Sequence, residues 1–142
     1  LGAPAGSLIA TNDRDMLDRL RRFRRMYGGS MRQAGVLAAA GIFALEHNIT
    51  RLKEDHDHAK RLAHHLAQIP SVTLDLKSVE TNIIIFDVKS SRSPADLVAA
   101  LKAEGLLINA VGGNSYRAVT HLDVSADDID RAGMIFSRVL SQ

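Results

Sequence analysis

Asn82-Ile83-Ile84-Ile85-Phe86-Asp87-Val88 is the stretch on which the fold turns. Its residues are β-branched and apolar on both faces, which predicts a strand in the middle of a sheet. Upstream, Val72, Leu74 and Leu76 alternate with Thr73 and Asp75, the pattern of a half-buried strand. Before that, Leu52, Ala59, Leu62, Ala63, Leu66 and Ile69 form one helical stripe that Pro70 stops. Downstream, Ser93-Pro94 opens a helix with Leu97, Val98 and Leu101 as its stripe, and Gly105 closes it. Residues 106–110 read as another short strand, and Gly112-Gly113-Asn114 reads as a turn. Residues 117–124 alternate, placing Arg117, Val119, His121 and Asp123 on one face and Ala118, Thr120, Leu122 and Val124 on the other. Ser125 then caps a last helix, whose Ser-Ala-Asp-Asp start resembles a capping box with Asp in the acidic position. From about Thr50 onward the chain is therefore an α+β unit, with helices packed on one small, mostly antiparallel sheet.

The first part reads differently. Residues 6–10 suggest a short strand, and Thr11-Asn12-Asp13 supplies N-cap residues ahead of Met16, Leu17, Leu20 and Phe23 at helical spacing. That helix ends at Gly28-Gly29. A second helix is expected from about Ser30 to His47, apolar nearly all round and hence buried on most sides. One strand and two helices cannot close a core alone, so residues 1–49 are expected to pack on something further and residues 50–142 to form a separate small domain. The opening Leu1-Gly2-Ala3-Pro4-Ala5-Gly6-Ser7 is turn-rich and runs straight into Leu8-Ile9-Ala10, which predicts a segment that continues from an upstream part of a longer polypeptide.

Composition narrows the chemistry. The 142 residues are 46% hydrophobic, 24% charged and 4% aromatic, values that suit a folded domain rather than a disordered one. With no cysteine, zinc ribbons, CxxC redox motifs and thiolate catalysis are excluded. No apolar run approaches the roughly 20 positions of a membrane span, and nothing resembles a secretory leader, so a cytoplasmic location is expected. Net charge is only +2, yet seven of the thirteen arginines fall between Arg14 and Arg32. This basic patch could meet a phosphate, a carboxylate or nucleic acid. Nucleic-acid binding has little further support, because no recognition motif or aromatic stacking platform accompanies the arginines.

The histidines of Glu54-Asp55-His56-Asp57-His58 and His64-His65 invite a metal site. On a helix, however, His58 and His65 lie roughly 10 Å apart along the axis, too far for one ion, so no metal is expected. A solvated polar face of Glu54, His58, Arg61 and His65 with i,i+4 pairing is the plainer reading. None of the glycine pairs has GxGxxG or GxxxxGK[ST] spacing. Gly28-Gly29-Ser30-Met31-Arg32-Gln33 admits two readings: an anion site built from a turn, a helix N-terminus and an arginine, or simply a tight interhelical turn. Arg117 opens its strand where a guanidinium could grip a carboxylate in bidentate fashion, but from the residues alone it reads as a surface strand residue, and His121, roughly 13 Å away by strand rise, reads as a half-buried structural histidine.

Several segments together resemble the low-specificity L-threonine aldolases. They are Leu1-Gly2-Ala3-Pro4-Ala5-Gly6-Ser7, Arg24-Arg25-Met26-Tyr27-Gly28-Gly29-Ser30-Met31-Arg32-Gln33-Ala34-Gly35-Val36-Leu37-Ala38-Ala39-Ala40, Ala44-Leu45-Glu46, Arg51-Leu52-Lys53-Glu54-Asp55-His56, Thr81-Asn82-Ile83 and Arg117-Ala118-Val119-Thr120-His121-Leu122-Asp123-Val124. The resemblance implies the C-terminal part of a fold-type I enzyme dependent on pyridoxal 5'-phosphate (PLP), a homotetramer that cleaves β-hydroxy-α-amino acids to glycine and an aldehyde. It further implies that residues 1–49 end the cofactor-binding large domain and that residues 50–142 are the small domain. Arg117 would pair with the substrate carboxylate, Arg32 would approach the cofactor phosphate, and Arg25, where relatives often carry lysine, would keep a positive charge near it. The Schiff-base lysine would sit two positions before Leu1, so the chain by itself is expected to be inactive. The alternatives are a related PLP-dependent β-eliminating lyase that uses the same arginine clamp, or a non-catalytic oligomerisation module. His121 and Asp123 belong to the shared motif without an assigned chemical role.

Overall fold

A computed structural model describes residues 1–141. Its backbone contacts divide the chain into two units, residues 1–50 and residues 51–142. The second unit holds the core. Strands β1 (Val72–Thr73), β2 (Ile83–Val88), β3 (Asn109–Gly112) and β4 (Ser115–Val119) form one antiparallel sheet in the order β1-β2-β4-β3. Helices α3 (Leu52–Ala67), α4 (Pro94–Ala103) and α5 (Ala126–Leu140) cover one face. The architecture is the expected α+β arrangement of helices on a small antiparallel sheet.

The strand that decides the fold is central, as its composition predicts, but it has only one buried face. Ile84, Phe86 and Val88 point into the core, whereas Ile83 and Ile85 remain 42% and 55% exposed beside Asp87. Phe86 anchors the interior, stacked at 5.9 Å on Tyr116 of β4 and edge-on at 5.6 Å to Phe136 of α5. Against this aromatic centre pack Leu62 and Leu66 of α3, Leu97 and Leu101 of α4, and Ile129 of α5. Such burial is worth about 1.5–3 kcal/mol for each large side chain removed from water.

Helix ends follow the predicted chemistry. Ser93 accepts from the Asp96 amide with Pro94 in the first turn of α4. Gly105, at φ +85°, ends that helix in a Schellman motif, its amide on the Lys102 carbonyl and the Leu106 amide on the Leu101 carbonyl. Ser125 and Asp128 close a reciprocal capping box on α5. Helix α5 also approaches α3 closely at Gly133, where a Cβ would stand 2.6 Å from Cγ of His65.

Three strand boundaries differ from the sequence pattern, each because a polar group takes over a backbone bond. The Val72–Leu76 alternation ends early because the Asp75 carboxylate accepts from the Lys77 amide and starts the 3-10 turn Leu76–Ser78. The strand expected at residues 106–110 begins only at Asn109, since Leu106 is still engaged in the cap of α4. The strand expected over residues 117–124 ends at Val119, and a turn closed by the Val124 amide on the His121 carbonyl follows. Between β3 and β4 the ladder skips Val111, a bulge, and Gly113 supplies φ +53° in the hairpin loop.

The first unit comprises α1 (Arg14–Met26) and α2 (Gly35–His47). Asp13 caps α1 by accepting from the Met16 amide, and a second Schellman motif ends it. There the Gly28 amide (φ +75°) bonds the Arg25 carbonyl and the Gly29 amide bonds the Arg24 carbonyl. Residues 6–10 form no strand, because a ladder needs a second strand and the described residues of this unit provide none. Helix α2 starts at Gly35 rather than near Ser30, after a turn at residues 32–34. Its all-round apolar surface is not buried on most sides: Ala44 is its buried residue, while Val36, Ile42 and Phe43 are 75%, 56% and 57% exposed.

Candidate functional site

The three arginines singled out by sequence lie on two units. Arg117 is in β4, paired across the sheet with Ile85 of β2 and Asn109 of β3. The strand's period of two sends Tyr116 and Ala118 inward and Arg117 to the sheet face that no helix of this unit covers. Around it on that face stand Ile83, Ile85, Val111 and Val119, each 41–55% exposed. Among the described residues its guanidinium has no hydrogen-bond or ion-pair partner. The one carboxylate on the same stretch of β2, Asp87, accepts from the Ser115 hydroxyl instead. A planar fork of five donors, set among aliphatic side chains and left without an acid, suits a carboxylate brought from outside.

Arg25 and Arg32 flank the turn that joins α1 to α2. Arg25 is in the last turn of α1, its carbonyl held by the Gly28 amide, and Arg32 opens the turn ahead of α2. Both side chains are exposed and, among the described residues, without an ion-pair partner. The N-cap position of α2 is Ala34, which has no side-chain acceptor, so no side chain satisfies the first amides of that helix. The segment is an interhelical turn. It is a tight turn stabilised by Gly28 at positive φ, and it presents an arginine next to a helix N-terminus of positive partial charge.

The histidine-rich face of α3 is organised differently from its sequence pattern. Arg61 and His65 reach across to α5, where both meet the Asp130 carboxylate, His65 at 3.1 Å. Along the helix itself the pairs are Lys53 with Asp57 and Arg51 with Glu54 and Asp55. His121 is exposed rather than half-buried, and its Nδ1 accepts from the Asp123 amide at 3.3 Å in the turn after β4. That turn lines a cleft of about 360 Å³ with Asp128, Ile129 and Arg131 of α5. The strand-rise separation between Arg117 and His121 does not apply once the strand stops at Val119.

Sequence reasoning missed a buried polar cluster at the start of α3. Asp55 is 5% exposed and Thr120 is 1% exposed, and the Thr120 hydroxyl donates to the Asp55 carbonyl at 2.6 Å. A signal was present, because Asp55 occupies an apolar-stripe position, four residues before Ala59 and seven before Leu62.

Comparison with known proteins places these residues in context. The family described as beta-eliminating lyase matches residues 1–90. The low-specificity L-threonine aldolase of Escherichia coli strain K12 is 44% identical over 91% of this chain and 37% of its own length. The low-specificity L-threonine aldolase 1 of Arabidopsis thaliana is 36% identical over 91% of the chain and 36% of its own length. Among solved structures, the cystine C-S lyase C-DES in complex with cysteine persulfide matches with a TM-score of 0.61. It is 19% identical, over 75% of this chain and 28% of that one. A C-DES mutant with glycine covalently linked to its PLP cofactor matches with a TM-score of 0.60. The chain therefore spans little more than a third of the length of the curated relatives it matches.

Proposed function

The chain belongs to the beta-eliminating lyase family, and on that premise we propose that it is the C-terminal part of a PLP-dependent aldolase acting on threonine and related β-hydroxy-α-amino acids. The observation that carries the reading is Arg117, a partnerless guanidinium on an apolar, uncovered sheet face. In this role it holds the substrate carboxylate in a bidentate grip and so fixes the orientation of the amino acid about Cα. Arg32 and the uncapped start of α2 hold the cofactor phosphate, with Arg25 adding positive charge beside them.

The residues present fit the anionic ends of cofactor and substrate, but not the covalent anchor. The five lysines, Lys53, Lys60, Lys77, Lys89 and Lys102, are exposed in this chain, and none of them is assigned the anchor, a role that needs a positioned and activated amine. On this reading the anchoring lysine belongs to the remainder of the complete protein. When bound, the cofactor supplies an electron sink for the bond cleaved at Cα.

The exposed apolar side chains of α1 and α2 are covered in the complete protein by the rest of the polypeptide and by sister subunits of a cytoplasmic homotetramer. Residues 1–49 then complete the large domain, and residues 50–142 form the small one. The family match also keeps a β-eliminating reaction on the same carboxylate grip in view. Product analysis of the complete protein decides between them, since glycine plus acetaldehyde from threonine marks the aldolase and a 2-oxo acid marks elimination.

The arginine itself is tested by Arg117→Lys and Arg117→Gln in the complete protein. A point charge or a neutral amide replaces the fork, so the KM for threonine rises by about tenfold or more in each. An unchanged KM in Arg117→Gln overturns the assignment of Arg117.

A further inference from the structure

Three of the segments that carry the family resemblance, Arg51-Leu52-Lys53-Glu54-Asp55-His56, Thr81-Asn82-Ile83 and the Arg117–Val124 stretch, converge on one buried point that the proposed chemistry leaves unused. Thr120 is its centre. Its amide donates to the Asn82 carbonyl at 3.0 Å, its carbonyl accepts from Asn82 Nδ2 at 2.8 Å, and its hydroxyl donates to the Asp55 carbonyl at 2.6 Å. Asp55 is held in turn by Arg51, whose guanidinium nitrogens stand 3.3 Å from each carboxylate oxygen. The clasp thus ties the end of β4 to the start of β2 on one side and to the first turn of α3 on the other.

We propose that Thr120, supported by Asn82 and the Arg51–Asp55 pair, is a positioning residue for Arg117, an inference that rests on the carboxylate-binding role given to Arg117 above. The reason is register. A slip of one residue along β4 would turn every side chain to the opposite face and drive Arg117 into the core. Ala118 and Val119 discriminate weakly between the two registers, since both are small aliphatic groups that either face accepts. On the β3 side the frame is a short edge strand with a bulge at Val111, a soft boundary. The inward set by which β4 is fixed is therefore Tyr116 in the aromatic core and Thr120 with its three hydrogen bonds. Thr120 follows β4 directly and is buried, whereas Arg117 is exposed on the open face of the sheet, so Thr120 fixes the backbone without touching the substrate.

The test uses the complete protein. Thr120→Val keeps the shape and removes the hydroxyl, whereas Thr120→Ser keeps the donor. Thr120→Val is expected to raise the KM for threonine roughly five- to tenfold with kcat changed less than about twofold, and to speed amide hydrogen exchange at residues 117–120. Thr120→Ser is expected to restore both. Because Thr120 acts through Arg117, Thr120→Val/Arg117→Gln should match Arg117→Gln alone, whereas a merely structural role would multiply the two effects. Should Thr120→Val fail to fold, Asn82→Ala, which removes the Nδ2 donor, is held to the same criteria. If Arg117→Gln raises KM but the clasp variants leave it unchanged, or if the effects multiply, the positioning role is overturned while the carboxylate grip stands. If Arg117→Gln itself leaves KM unchanged, both fall.

Discussion

Gly133→Ala sets two effects of known size against each other on a solvent-edged helix. In a helix interior, alanine is favoured over glycine by about 0.8–1.0 kcal/mol, so propensity alone predicts a gain in stability. The structure predicts a loss. A Cβ at Gly133 would lie 2.6 Å from Cγ, 2.9 Å from Cβ and 3.0 Å from Cδ2 of His65. A change of the His65 χ1 rotamer relieves the first and third contacts, but the second involves the His65 Cβ, which moves only if the helix moves. Overpacking of this kind costs about 1–3 kcal/mol. Rotating His65 also breaks its 3.1 Å contact with Asp130, a partly exposed pair worth at most about 1 kcal/mol. The balance is a net destabilisation that spans about 0–3 kcal/mol over these ranges, with its middle at about 1.5 kcal/mol. Urea unfolding followed by far-UV circular dichroism, with wild type and Gly133→Ala compared at equal m-value, measures it. A Gly133→Ala chain more stable by about 1 kcal/mol would mean that α3 and α5 are not in close contact at this point, and the packing argument would be wrong.

Other consequences can be checked in the same preparations. Ser125→Ala removes the hydroxyl half of the α5 capping box, leaving the residue-125 amide on the Asp128 carboxylate, and should cost about 1 kcal/mol at neutral pH. The Ser125 hydroxyl and amide hold the Asp128 carboxyl below its ordinary value, so their stabilisation is present above the unfolded pKa and is lost as pH falls through the native one. The difference between Ser125→Ala and wild type should accordingly shrink below about pH 4, and a difference constant from pH 7 to pH 2 would refute that linkage. Burial pushes the Tyr116 phenol above 10.0. Its neutral form therefore supports the fold fully below the unfolded pKa of about 10, and that support is lost as pH rises through the native value. Ultraviolet titration should show one of the two tyrosines ionising late and together with unfolding. Its absence in Tyr116→Phe identifies the group, and persistence of the late step in that variant would show the assignment to be mistaken.

The sheet and its helices were legible where local chemistry and period agreed. Ile84, Phe86 and Val88, the stripe from Ala59 to Leu66, and the Ser93 and Ser125 caps all follow from side chains acting within a few residues of themselves. The misjudged boundaries share a different cause. At Asp75, Leu106 and Thr120 a backbone amide or carbonyl has two competing partners, and the winner is a cap or a side chain rather than the ladder. Periodicity records which face a residue prefers, but not which acceptor takes its amide. The same limit hid the clasp. Asp55, Asn82 and Thr120 are separated by 27 and 38 residues and meet only because β2 and β4 are neighbours. Arg61 and His65, whose spacing reads as part of one solvated face of α3, instead pair across to Asp130 of α5.

Helix α2 and the open face of the sheet share one pattern, apolar side chains left exposed among the described residues. Helix α2 is apolar around its whole circumference, a property that in water-soluble proteins goes with burial on all sides, yet Val36, Ile42, Phe43 and Leu45 are exposed here. The uncovered face of the sheet has the same character, with Ile83, Ile85, Val111 and Val119 open to solvent around a single guanidinium. Contiguous apolar surface of this kind marks contact sites rather than solvent boundary. A charged fork in the middle of such a surface costs little while water reaches it, but once the face is covered it must find an anion or remain desolvated and unpaired. Arg117 is therefore informative because its neighbours are aliphatic. Paired with Asp87 the arginine would be a surface ion pair of no functional weight, but no such pair forms among the described residues, where Asp87 accepts from the Ser115 hydroxyl.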